Sequence, residues 1–88
     1  MTTIQETLDA RSKIYGDFAT HAQLSQDLKD VMHCAPNWPE LDHDMREALD
    51  MAQHKIARIL NGGNPNYLDS WVDICGYIQL VINRLEEG

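Results

Sequence analysis

Residues 44–85 read DMREALDMAQHKIARILNGGNPNYLDSWVDICGYIQLVINRL, and this stretch decides the fold. In its first half Met45, Leu49, Ala52, Ile56, Ile59 and Leu60 recur at helical spacing as one apolar stripe. Glu47, Asp50, His54 and Arg58 gather on the opposite side. The NGGNPNY segment at 61–67 interrupts the period with two glycines and a proline. Beyond it Trp71, Ile74, Cys75, Ile78, Val81, Ile82 and Leu85 restore the period. The pattern predicts two long antiparallel helices joined at a length usual in helical bundles.

The far sides of these helices differ. On the second, Asp69 and Asp73 share their side with Gly76, Tyr77 and Leu80, so the helix is apolar around most of its circumference. Such a helix is covered on two sides, and Asp73 is expected to be partly buried. A buried carboxylate needs a cation, a hydrogen-bond donor or a raised pKa. Glu47, Asp50 and His54 point one way on the preceding helix. Four acids and a histidine on neighbouring helices suggest a divalent cation.

Here the residues carry a resemblance. Glu47 and Asp50 in ExxD spacing, the following HKIARIL, and DSWVDICGY after the turn resemble the core of the MazG-like all-α nucleotide pyrophosphohydrolases. The likeness is nearest to their small phage and prophage relatives associated with nucleotide modification. It covers residues 44–85 and, more loosely, YGDF at 15–18. It implies that acids on two adjacent helices hold magnesium, which binds a nucleoside triphosphate and promotes release of pyrophosphate. By that resemblance Glu47, Asp50 and Asp73 are the catalytic candidates, and Glu47, Asp50, Asp69, Asp73 and His54 the metal ligands. Where the family has EExxE, this chain has only Glu47 and Asp50, and its second acidic pair, Asp69 and Asp73, is four apart rather than three. A relative that binds a nucleotide without hydrolysing it fits the same residues.

Composition sets the bounds. An 88-residue chain has room for one domain and buries a limited fraction of its surface, so assembly into a homodimer or homotetramer would complete its core. With 43% hydrophobic and 24% charged residues it is globular in composition. A net charge of −7 argues against direct binding of a nucleic-acid backbone, which needs clustered Lys and Arg. The acidic balance suits a cytoplasmic protein, a cation binder or a partner of basic surfaces, and the resemblance implies that the cell is a bacterial host. Cys34 and Cys75 lie far apart and outside any CxxC setting, implying neither a disulfide framework nor a zinc site. Cys75 falls on the apolar stripe and reads as a small core residue. The amino-terminal residues lack the apolar core of a signal peptide, and no segment is long enough to span a bilayer.

The remaining elements follow in order. Thr2 or Thr3 before IQETLDARSKI starts a helix, since Thr3 and Glu6 have the capping-box spacing, and it should end near Tyr15–Gly16. Ile4, Leu8, Arg11 and Tyr15 share one face: either Ile4 and Leu8 pack while Arg11 and Tyr15 snorkel, or the latter two reach a phosphate or base. Gly16 permits a turn and Asp17 caps a helix over 18 to about 33 whose apolar face is Leu24, Leu28, Val31 and Met32. His21 joins that face, as a structural histidine or a ligand. APNWPEL at 35–41 is a connector anchored by Trp38, which could otherwise stack on a base. Asp42 caps the third helix, which runs to about Asn61, where Gly62 and Gly63 end it with left-handed backbone. Lys55 and Arg58 lie on or beside the acidic stripe, as ordinary surface ion pairs or as phosphate-binding groups together with Tyr15 and Arg11.

The fold expected is therefore all-α, a small bundle of about four helices. The function expected is magnesium-dependent pyrophosphohydrolysis or binding of a nucleotide. The alternative is a non-catalytic acidic protein that binds a host or phage protein, in the extreme as a mimic of nucleic acid.

Overall fold

The structure, a computed structural model, describes residues 3–88. It is all-helical, with α1 (Ile4–Tyr15), α2 (Phe18–His33), α3 (His43–Leu60) and α4 (Leu68–Glu87). A single 3-10 turn (Trp38–Glu40) lies in the connector between α2 and α3. The expected four-helix architecture is present.

Local chemistry sets most of the boundaries. Thr3 and Glu6 form a reciprocal capping box, the Thr3 hydroxyl accepting from the Glu6 amide at 3.0 Å and the Glu6 carboxylate accepting from the Thr3 amide at 3.3 Å. Thr2, the other candidate cap, lies outside the described residues. Gly16 closes α1 at φ 83°, a left-handed conformation that glycine adopts without penalty. Asp17 caps α2, accepting from the Thr20 amide at 3.0 Å and its hydroxyl at 2.9 Å. Asp42 has the extended backbone of a cap, but its carboxylate accepts from Arg84 instead of from an amide of α3. The same guanidinium binds Asp44, tying the start of α3 to the end of α4.

The end of α3 differs from expectation. Neither Gly62 nor Gly63 has positive φ; the helix ends because Asn61 turns to extended backbone at φ −75°, ψ 165°. The glycines serve the packing of the turn instead. A Cβ on Gly63 would overlap the Ile14 carbonyl, whereas Gly62 faces open space.

α3 is the central helix, packed along one side by α4 and along another by α2. Its covered positions are small or polar: Ala48, Ala52, Ala57 and Gln53. Gln53 donates to the Ser25 hydroxyl at 2.8 Å, a buried polar link between α3 and α2. Trp38 stacks on His33 at 4.4 Å and anchors the connector as expected.

The predicted apolar stripes are only partly covered. Leu49, Ile56 and Leu60 on α3 and Trp71, Ile78, Ile82 and Leu85 on α4 are exposed in the single chain. Cys75 is exposed as well, not a core residue. Ile4 and Leu8 do not pack either, and α1 buries no residue. The reason is geometric: α4 has one principal neighbour, α3, so the half of its stripe turned away from α3 meets nothing. The Cα radius of gyration, 15.0 Å, exceeds the roughly 12 Å of a compact domain of this length.

Candidate functional site

One face of α1 from Gln5 to Tyr15, the elbow after it, the start of α2 and the middle of α3 line a half-open cavity of about 420 Å³. Long-range backbone contacts hold the elbow. The Asn61 side-chain amide donates to the carbonyls of Tyr15 and Asp17, each at 2.9 Å. The Asn64 amide donates to the Ile14 carbonyl at 2.6 Å. The turn between α3 and α4 therefore fixes the joint between α1 and α2, the YGDF unit of the sequence.

Four side chains, Arg58, Tyr15, His21 and His54, set the chemistry of the cavity, which Asp9 on α1 also lines. The Arg58 guanidinium lies over the Tyr15 ring, 4.2 Å from its centre, and Tyr15 meets Tyr67 edge-on at 5.9 Å. No described carboxylate is in ion-pair range of Arg58. Behind it the His21 and His54 rings meet edge-to-face at 4.8 Å. Burial, then the charge of Arg58 and the neighbouring His21, pushes His54 down to about 4. Burial and Arg58 lower His21 as well, against the pull of the Ala57 carbonyl. Both rings are thus neutral near pH 7. His21 is only 6% exposed, and its Nδ1 has no hydrogen-bond partner. Phe18, 78% exposed, stands at the mouth, and Leu8 and Arg11 supply the α1 wall.

The predicted phosphate-binding residues are partly assembled here: Arg11, Tyr15 and Arg58 line one cavity. Lys55 does not join them, because its ammonium pairs with Asp73 on α4 at 3.2 Å. The predicted acidic set is dispersed. Asp50 bonds His33 Nε2 at 2.7 Å, and Asp69 stands beside Tyr67, its charge raising the pKa of that phenol. Glu47 is exposed, and His54 faces His21 in place of the acids. Magnesium requires several oxygens in near-octahedral array. Within one chain Asp50 and Asp73 are already engaged, and no group of three His, Cys, Asp or Glu among the described residues is arranged to hold a metal ion. These donors do not fit magnesium in this arrangement.

The sequence left His21 open between a structural histidine and a ligand, and its YGDF unit, Phe18 included, open between a plain helix joint and one wall of a nucleotide pocket; Tyr15, Gly16 and Phe18 do line the cavity. Their signal lay in the Asn61–Gly63 turn: an asparagine followed by a glycine that α1 approaches closely sets the α1–α2 elbow against α3. Among the described residues no helix is long and apolar enough to cross a membrane. No protein-family model matches the chain, and comparisons with curated proteins and with solved structures likewise gave no match.

Proposed function

We propose that this protein binds a nucleotide in the cavity between α1 and α3. One observation carries the reading: a guanidinium free of carboxylate partners, stacked on an aromatic ring, beside two neutral histidines in a recess of about 420 Å³. That volume is within the range of roughly 300–1,000 Å³ typical of small-molecule sites. Arg58 and Arg11 suit phosphate oxygens, which guanidinium groups engage in charge-assisted, often bidentate bonds. Phe18 offers a face to a base. The His21 and His54 rings, neutral near pH 7, line the recess without adding charge to it.

The resemblance of residues 44–85 extends this proposal to a cytoplasmic protein of phage or prophage type, acting as a homodimer or homotetramer and releasing pyrophosphate with magnesium. The acids of one chain, tied to His33 and Lys55, do not support the hydrolytic extension, so no hydrolytic step is assigned.

Titration calorimetry with purine and pyrimidine nucleoside triphosphates tests the reading. Arg58→Ala should weaken binding at least tenfold, as loss of a hydrogen bond to a charged group of about 1.5–3 kcal/mol requires, with helicity retained. Absence of heat and of any shift in the unfolding midpoint at millimolar nucleotide would overturn it. The alternative, an acidic interaction protein, is favoured by 14 acidic against 7 basic residues and predicts that silence.

A further inference from the structure

Leu68, Trp71, Cys75, Ile78, Ile82 and Leu85 succeed one another on α4 in alternating steps of three and four residues. This is the heptad spacing of a helix that packs along a second helix. None of the six is covered in the single chain, Leu68 being 69% exposed and Leu85 54%. A separate stripe on α4 (Ser70, Asp73, Ile74, Tyr77 and Val81) is buried or half-buried. So α4 carries two packing stripes, one satisfied and one open. At about 100° per residue, the exposed Leu49, Ile56 and Leu60 of antiparallel α3 turn to the same side of the hairpin, which widens the open face.

We propose that this open face is a self-association surface, covered by the same face of a second copy of this chain. The area argues for it. The chain exposes 6356 Å², against about 5,300 Å² for a compact monomer of its mass. The uncovered α1 shares in that surplus of about 1,000 Å², and the open face of the hairpin, running the length of α4, is of the extent a stable interface takes from each partner, about 800 Å². Charge argues for it too. Residues 74–83 carry none, so two chains of net charge −7 can meet along them without opposing charges of like sign at the centre. An anionic membrane surface does not fit the same face, because Asp69, Glu86 and Glu87 at its ends would be repelled. A core of three buried alanines gives the physical reason for pairing: the large apolar side chains find their cover in the second copy.

The assignment is independent of nucleotide binding. Sedimentation velocity on the full chain at micromolar concentration should give the mass of two chains, or an even multiple. Ile78→Glu and Ile82→Glu should give the mass of one chain with far-UV helicity kept. Leu80→Glu, 65% exposed on the other side of α4, should leave the mass unchanged. Thiol labelling of the unaltered protein gives a readout that needs no variant to fold: Cys75 should be protected at high concentration and react on dilution, while Cys34 reacts throughout. A single-chain mass for the unaltered protein at all concentrations would overturn the proposal. So would dissociation by Leu80→Glu as complete as by Ile78→Glu, or a Cys75 that reacts as fast as Cys34 at every concentration.

Discussion

The Lys55 ammonium on α3 stands 3.2 Å from the Asp73 carboxylate on α4, with the Lys55 side chain 14% exposed and that of Asp73 46%. A carboxylate on a largely apolar helix has taken a cation, and the cation belongs to the chain itself. The pair closes the middle of the hairpin as Arg84 with Asp42 and Asp44 closes its far end.

The asymmetry of that pair makes a prediction. Asp73→Asn leaves a mostly buried ammonium without its counter-charge, and should cost about 1 kcal/mol, the half-exposed carboxylate holding the figure down. Lys55→Met leaves only a carboxylate with access to water and should cost less. Urea unfolding of the two variants checks the order, and a larger loss for Lys55→Met would contradict it.

Stability should fall in mild acid because of His54. The folded ring protonates only near pH 4, whereas the ring of the unfolded chain protonates near its ordinary 6.5. Between those values the unfolded state holds more protons, so stability falls as pH drops from 6.5 towards 4 and is fully restored above 6.5. The charged and titratable groups acting on the ring are Arg58, His21, Lys55 and Lys29, and His21 shifts in the same direction. Asp17, held low mainly by the Thr20 amide, and Asp44, held low mainly by Arg84, add losses only below 3.8. Thermal midpoints from pH 7 downward should therefore slope in the unaltered protein and flatten in His54→Gln.

The two glycines of the α3–α4 turn should respond oppositely to alanine. Gly63→Ala places a methyl group on the Ile14 carbonyl and should destabilise by about 1–3 kcal/mol. Gly62→Ala meets nothing and needs no left-handed backbone, so it should stabilise by about 0.4–1 kcal/mol through the unfolded chain. Equal midpoints for the two variants in denaturant would show that the elbow does not depend on that close approach.

The helices were legible because helix formation is local. Apolar period, the Thr3–Glu6 box, Asp17 and the prolines around Trp38 act within a few residues, and each boundary they marked is found to within one or two residues. The site was legible only in part. Arg11, Tyr15 and Arg58 could be nominated from their faces, but not the orphaned Nδ1 of His21, which depends on Ala57 and the His54 ring arriving from a helix more than 30 residues away.

Sequence alone determined four helices, their ends and the acidic charge, since each follows from neighbours along the chain. Tertiary structure alone decided which side of each stripe is covered, which cation Asp73 takes and that Gly63 serves a contact, not a left-handed turn. Those outcomes turn on which surfaces meet across the turn and the elbow, and a helical period fixes what a face contains without fixing what lies against it.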